Sequence, residues 1–560
     1  MSKRVAIIGA GPSGLCAIKQ CLEEGLVPVC FEASPGIGGL WQSSTEDSNS
    51  SVYQSTVVNT SKQMMSYSDF PIPDDWPNFL PHTMVHDYLE MYAHNFKLGP
   101  YIKFNRRVQS VKPVIKDGVE TGSWEIIYKK RERRGRPGRP TSPDSRPMSP
   151  EARMVSPTRN GESSNSIDTL GIQFPLRKSE DSGYSDDSIE LKKKSNLKKD
   201  VFDFVLICTG HHWSPKMPEF EGMKDFKGPM IHSSAYKVPY PFKDERVLIV
   251  GVGNSGIDIS SELASHASSV LLSSRSGTWI APRVTLFGLP TDQLSTRAAN
   301  SLPRPLLNFA LESLMTLHHG DLEKYKLKPK HGFLEQTPVV GSQVLEHIET
   351  GKIAVRPNVK KFTANTVEFA DGTKDEIDAV ILCTGYLIEN PFLDPSIMGQ
   401  QDSSSNIVKL YKHIFPTNAK NLAFIGMVQP IGSILPVAEM QARWATRVFS
   451  GKCQLPPLKQ MRDETDMDWI EHLKTFVPRE RMTIAVNTVP YMDMIAQKIG
   501  VLPDLWKLWK TNWSLAANVT FGPTISSHYR LTGPGSCPEV AEKIISNACV
   551  GLDLRKHIKK

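Results

Sequence analysis

The first uninterrupted apolar run, residues 5–8, gives way to Gly9-Ala10-Gly11-Pro12-Ser13-Gly14 and then to the helical spacing of residues 15–24. A second run, residues 27–31, closes on Glu32. This succession predicts strand, tight glycine turn, helix and strand. A parallel strand buried on both faces reads as continuous apolar sequence, whereas its crossover helix shows a period near 3.6. The same grammar returns at residues 247–250, followed by Gly251-Val252-Gly253-Asn254-Ser255-Gly256, a helix running to about residue 267, and a strand over 270–273 that ends near Arg275. Two further apolar strands, at 204–210 and 379–385, end in Thr-Gly where the chain passes from one unit to the other. A Pro-interrupted apolar stretch over 302–317 predicts a helical insertion.

Between residues 129 and 199 the hydrophobic pattern stops. Arg, Lys, Pro, Ser and Gly dominate, with 17 basic against 10 acidic residues. The rest of the 560-residue chain holds 49 of each, so the whole net charge of +7 resides in this segment. Its composition cannot bury enough apolar surface to offset the entropy of ordering, which predicts a disordered insertion in a hairpin whose removal the fold survives. The charge-balanced body gives no expectation of nucleic-acid binding, which needs a concentrated basic face. The eight cysteines show no C-x-x-C pair and no zinc-like spacing, pointing to a reducing compartment, against dithiol redox chemistry and against a metal site. No stretch of 18 or more apolar residues occurs, so any membrane contact is expected to be peripheral.

The glycines carry the chemistry. In the first turn Gly9 permits the tight bend, Gly11 admits a pyrophosphate close to the backbone, and Gly14 lets helix and strand pack; Pro12 and Ser13 open the helix whose N-terminus faces the anion. Glu32, 18 residues after Gly14, is placed to accept from an adenosine ribose, and its charge repels a 2′-phosphate, so this site suits FAD or NAD. In the second unit Arg275 stands 24 residues after Gly251, close to the offset of 23 between Gly9 and Glu32. A guanidinium there matches a 2′-phosphate. Gly251, Gly253, Asn254, Ser255, Gly256 and Asp258 are the corresponding cradle, with Ser255, Gly256 and Asp258 expected to face the NADP diphosphate or cap the helix. The fold class is therefore α/β, with two Rossmann-like dinucleotide-binding domains, one for FAD and one for NADP(H), a helical insertion and a disordered hairpin loop. The expected division is 1–210 for the first part of the FAD-binding domain, 211–384 for the NADP-binding domain, and 385–560 for the return of the FAD-binding domain with C-terminal helices. Two nucleotides of different sugar preference imply electron transfer from NADPH to flavin.

Residues 226–236, Phe-Lys-Gly-Pro-Met-Ile-His-Ser-Ser-Ala-Tyr, lie between the two glycine turns and resemble the F-x-G-x-x-x-H-x-x-x-[YF] signature of the flavin-containing monooxygenases. Gly38-Gly39-Leu40-Trp41, the stretch from Tyr53 through Asn59-Thr60-Ser61-Lys62 to Pro71, Glu439-Met440-Gln441-Ala442-Arg443-Trp444, residues 382–386 and residues 529–535 resemble the same family. The resemblance implies an enzyme in which NADPH reduces bound FAD, dioxygen adds at flavin C4a, and the hydroperoxide oxygenates a soft nitrogen or sulfur nucleophile. Asn59 then matches the active-site asparagine. Gly39, Leu40, Trp41, Thr60 and Ser61 would lie beside the flavin, and His232 is expected to link the domains rather than to donate protons. The partners implied are a small nucleophilic substrate and O2.

Vertebrate members carry an apolar C-terminal anchor, whereas residues 541–560 are short, mixed and basic. Attachment to the cytosolic face of the endoplasmic reticulum is thus expected to be peripheral, through residues 302–317, with a cytoplasmic protein as the alternative. Serines before prolines at 149 and 156 are candidate phosphorylation sites for a docking partner. A Baeyer–Villiger monooxygenase, an NADPH oxidase and a non-catalytic flavoprotein scaffold stay open as alternatives. The first normally has Trp where this chain has Tyr236, and the last would show decayed glycine turns. Substrate identity and oligomeric state are not legible in the sequence.

Overall fold

Both glycine turns sit at the carboxyl ends of parallel strands. In the computed structural model, which describes residues 2–42, 52–130, 197–400, 406–478 and 482–549, the strand Arg4–Ile8 is flanked by Val27–Phe31 and Phe204–Ile207, both parallel to it. Ile102–Lys103 extends one side and Leu422–Phe424 the other, giving five parallel strands. Val5, Ala6 and Ile7 are wholly buried, as expected where helices cover both faces. The second sheet repeats the plan around Arg246–Val250, with Ser269–Ser273 and Ala379–Leu382 as its parallel neighbours and Ile353–Arg356 and Met230–His232 at the edges. The described residues fall almost wholly in one body, formed by residues 1–129 with 198–560.

The elements agree with the hydrophobic pattern and differ at their ends. The first helix is Pro12–Glu23, starting earlier than the apolar periodicity because Pro at the first helical position is already set for helix. The second, Asn254–Leu263, stops about four residues short of expectation. There the His266 ring donates to the Glu262 carbonyl at 3.0 Å, and Ser268 N–H is drawn to Glu245 O at 2.9 Å; the groups that would continue the helix are already satisfied. The strands flanking the basic insertion run over Val119–Lys130 and Leu197–Phe202 and neighbour one another in a three-stranded sheet. Lys129, Lys130, Lys198 and Lys199 are thus strand residues, a correction to the expected boundary; Lys199 pairs with Glu125 across the sheet. Residues 131–196, with both Ser-Pro sites, lie outside the described residues.

The stretch 439–444 and the segment 529–535 meet behind the first helix. Arg530 donates to Glu439 (Nη2···Oε1 2.8 Å), to Ser68 Oγ (2.6 Å) and to Asp69 (2.8 Å), while Ser68 N–H donates to the other Glu439 oxygen at 2.7 Å. Burial opposes ionisation of Glu439, but Arg530, Lys19 and Arg443 outweigh it and hold the carboxyl down to about 2. Arg443 donates to the carbonyls of Tyr529 and Pro534. These motif residues thereby form a buried, hydrogen-bonded bracket under the segment that follows Asn59, in which Asp69 Oδ1 alone of the named groups has no partner among the described residues.

Candidate functional site

The two cradles are built alike. A Cβ on Gly9 would come within 2.7 Å of Cys208 O, and one on Gly251 within 2.5 Å of Cys383 O; both glycines have positive φ, +102° and +111°. A Cβ on Gly14 would lie 1.9 Å from Gly9 O, and one on Gly256 2.0 Å from Gly251 O. Only glycine fits all four positions. Each following helix has a glycine N-cap, Gly11 or Gly253, with no side-chain cap hydrogen bond among the described residues, so the first-turn N–H groups suit an anion. Ser13 lies against Gly426, whose Cβ would meet the Ser13 hydroxyl at 2.3 Å.

Glu32 is nearly buried and accepts from Ala10 N–H (2.6 Å) and Ser34 N–H (2.7 Å), one on each oxygen. Each carboxylate oxygen keeps a lone pair for a ribose hydroxyl. Gly39 closes the other side: its Cα would stand 3.6 Å from a Cβ on Gly11, and Gly38 N–H donates to Ala10 O. Leu40 is half-buried, and Trp41 packs onto the first sheet's core. These residues fit an adenine dinucleotide with a free 2′-hydroxyl.

At the second cradle Asn254 is exposed and accepts from Val340 N–H at 3.2 Å, while Ser255 is half-buried on the helix's first turn. Asp258 does not cap the helix. Its carboxylate accepts the Tyr53 hydroxyl at 2.7 Å, a contact across 205 positions in the chain, and burial pushes its pKa up. Its place on the second turn, beyond reach of the N-terminal N–H groups, is the reason. Arg275 is exposed and has no ion-pair or hydrogen-bond partner among the described residues. It lines a cavity of about 630 Å³ together with Ser276, Lys328, Lys330 and Lys474. Lys328 is held by Asp321 at 2.9 Å. The cavity offers a phosphate several cations at once.

Asn59 lies between these cradles on a segment held from both sides. Val58 N–H donates to Leu80 O (2.9 Å) and His82 N–H to Thr56 O (3.0 Å) within the first unit. From the second unit, Lys237 O accepts from Gln54 N–H at 3.0 Å, and Arg283 reaches over. One Arg283 nitrogen donates to Asn59 Oδ1 at 3.1 Å, and the guanidinium also lies 3.4 Å from the carbonyls of Val57 and Val58. Because the carbonyl end of the Asn59 amide is taken by Arg283, the NH2 end is the one left to donate. Thr60 is half-buried, and Ser61, fully buried, donates through both N–H (2.6 Å) and hydroxyl (3.0 Å) to Asp292. Nothing in residue spacing singles out Arg283 or Asp292; both sit in the long insertion between the strands Ser269–Ser273 and Ile353–Arg356, in a part without a repeating pattern, and only the fold brings them to Asn59.

His232 accepts from Ser234 N–H at Nδ1 (3.1 Å), so the proton is on Nε2, which donates to Gly385 O at 2.9 Å. Burial holds its pKa below the usual histidine value. The neutral ring ties the end of Met230–His232 to the point where the chain leaves the second sheet, a linking arrangement rather than an acid's.

Comparison with known proteins agrees with this geometry. Residues 2–137 and 175–550 match the family described as flavin-binding monooxygenase-like. Flavin-containing monooxygenase 5 of Cavia porcellus is 39% identical over 545 residues, covering 95% of this chain and 89% of the relative. Flavin-containing monooxygenase 3 of Oryctolagus cuniculus is 38% identical over 558 residues, covering 98% and 92%. Among solved structures, S-allyl-L-cysteine S-oxygenase from Allium sativum superposes with a TM-score of 0.59 at 20% identity over 98% of both chains. A cyclohexanone monooxygenase does so with a TM-score of 0.59 at 15% identity over 89% of this chain and 97% of that one. The chain belongs to the flavin-containing monooxygenases, oxidoreductases that use FAD and NADPH.

Proposed function

We propose that the enzyme oxygenates soft nitrogen and sulfur nucleophiles, with FAD in the Gly9–Glu32 cradle, NADP(H) in the Gly251–Arg275 cradle and the Asn59 amide at the reacting centre. The observation that carries this reading is the orientation of Asn59, whose carbonyl accepts from Arg283 so that its NH2 end is the one left to donate. A donor fixed in advance stabilises negative charge on oxygen without reorganising. Flavin supplies the two-electron relay from NADPH to dioxygen. The protein's part is to seat the diphosphates on helix N-termini, to hold the ribose through Glu32 and the 2′-phosphate through Arg275, and to keep Asn59 in place. A relative at 36% identity, covering 96% of this chain and 90% of its own, is a dimethylaniline monooxygenase of the N-oxide-forming type, which supports nitrogen among the targets.

The test supplies NADPH and 18O2 with a thioether, a tertiary amine and a cyclic ketone. One labelled oxygen is expected in the sulfoxide and the N-oxide, the other leaving as water with one NADPH consumed. A labelled lactone as the main product would move the assignment to Baeyer–Villiger chemistry. Arg283→Lys is expected to lower product per NADPH about tenfold with FAD content unchanged, since a point charge cannot hold Asn59 Oδ1 and two carbonyls in one plane; peroxide and product assays on the same sample check it.

No helix among the described residues is long and apolar enough to cross a membrane. Our reading is a peripheral attachment at the endoplasmic reticulum. It is supported by the helix Arg304–His319, which buries Asn308 and Met315 yet leaves Phe309 69% exposed and Leu306 and Leu317 exposed. Thr296 bridges to Pro523 just beyond the helix Trp513–Phe521, where Trp513 is 73% and the preceding Trp506 78% exposed, with Lys507 and Lys510 between. Apolar anchors beside lysines suit an anionic bilayer surface. Sedimentation with phosphatidylserine vesicles is expected to pull down the protein and to lose about tenfold in affinity in Trp506→Ser/Trp513→Ser. Protein remaining in the supernatant would favour the cytoplasmic alternative.

A further inference from the structure

Ser61 opens the short helix Lys62–Met65 as its N-cap, yet its side chain accepts nothing from that helix. A capping serine ordinarily takes an N–H of the first turn, which stabilises the helix start. Here the hydroxyl is turned round to donate to Asp292 at 3.0 Å, and the Ser61 N–H donates to the same oxygen at 2.6 Å. The carboxylate comes from the turn Thr291–Leu294, 231 positions away. Its neighbour Gln293 donates to Gln63 at 3.2 Å, so two successive residues of the insertion grip the same segment. Asp292 is held there at a cost: burial pushes its pKa up to about 6, and its second oxygen is buried with no hydrogen-bond partner among the described residues. A local preference abandoned on one side and a desolvated carboxylate maintained on the other mark a contact retained for something besides stability.

We propose that Asp292 is a positioning residue of the oxygenation site, fixing the Asn59–Ser61 segment through its double grip on Ser61. The proposal rests on the reading of Asn59 given above. Arg283 sets which way the Asn59 amide faces; Asp292 sets where the backbone two residues on is anchored. With both in place Asn59 is held from the insertion at two points, and its donor is placed before dioxygen arrives. Asp292 is not among the residues lining the Arg275 cavity and has no hydrogen bond to Gly9, Gly14 or Glu32 among the described residues, so FAD content and flavin reduction are followed separately from coupling.

The experiment compares Asp292→Ala, Asp292→Asn and Asn59→Ala with the natural holoenzyme, measuring FAD content, the anaerobic rate of flavin reduction by NADPH, product and peroxide per NADPH, and hydrogen exchange of the 59–63 amides without NADPH. Asp292→Ala is expected to keep FAD and reduction, to speed exchange of the Ser61 amide by about tenfold or more, and to lose about tenfold to a hundredfold in product per NADPH, the remainder appearing as peroxide. Asp292→Asn, which still offers Ser61 an acceptor, is expected to recover most of the coupling. Fast exchange with coupling unchanged would overturn the proposal, because the bond would then be structural only. If Asn59→Ala stays coupled while Asp292→Ala does not, the Asn59 reading fails and the anchoring role passes to another group on the segment; if only Asn59→Ala uncouples, the Asp292 proposal fails alone. Should Asp292→Ala fail to fold, Ser61→Ala removes the hydroxyl half of the grip and keeps the N–H half, so a smaller fall in coupling is expected; fast exchange of the residue 61 amide with coupling unchanged in that variant refutes the anchor equally.

Discussion

Replacing Asn59 with Ala is expected to abolish oxygenation while FAD stays bound and NADPH still reduces it. The proposed flavin cradle is Gly9, Gly14, the helix beginning at Pro12 and Glu32, none of which is hydrogen-bonded to Asn59 among the described residues. Hydride transfer from NADPH should therefore proceed at close to its natural rate. What the variant lacks is a donor already aimed by Arg283, and removing one preorganised donor typically costs about 10²–10³ in the step it serves. Peroxide is expected to account for nearly all NADPH consumed. The decisive measurement pairs the anaerobic reduction rate with the peroxide yield. Slow reduction would show that Asn59 acts on the nicotinamide half-reaction, and full product would remove it from the site.

Arg275→Ala is expected to lower kcat/KM for NADPH about a hundredfold and to leave NADH within about threefold. The guanidinium is exposed, without a partner among the described residues, and lines a cavity that Lys328, Lys330 and Lys474 also line. Charge-assisted hydrogen bonds to a phosphate contribute about 1.5–3 kcal/mol, or about ten- to a hundredfold in affinity. The neighbouring lysines limit the loss, and because they are ordinary surface cations the remaining preference should fall steeply with salt. Initial rates with both nucleotides at low and high ionic strength check this. An equal fall for both nucleotides would mean that Arg275 supports the cavity wall and does not read the 2′-phosphate.

Much of this architecture was legible along the chain because its signals are local. A glycine turn after an apolar run, a helix with Pro at its start and an acidic or basic residue some two dozen positions on are set by backbone sterics and by short-range anion chemistry. Gly9, Gly14, Gly251 and Gly256, which the spacing singled out, are each positions where a Cβ would meet a carbonyl oxygen. Strand ends were less legible: Lys129, Lys130, Lys198 and Lys199 look like part of the basic insertion, yet they are strand residues, because the pairing that holds them belongs to the sheet and not to their own composition. Asp258 shows the same limit. Its position suggests the helix N-terminus, and a tyrosine 205 residues earlier takes it instead.

By itself the sequence determined the two nucleotide-binding folds and their order, since each rests on residues within about thirty positions of one another, and the family resemblance picked out the segment carrying Asn59. Only the tertiary structure decided how that segment is held. Arg283 and Asp292 come from an insertion more than 220 residues away, with no period or motif of their own. A hydrogen bond across such a separation is specified by the packing of two sheets and the path between them, and leaves no trace in the spacing of either partner.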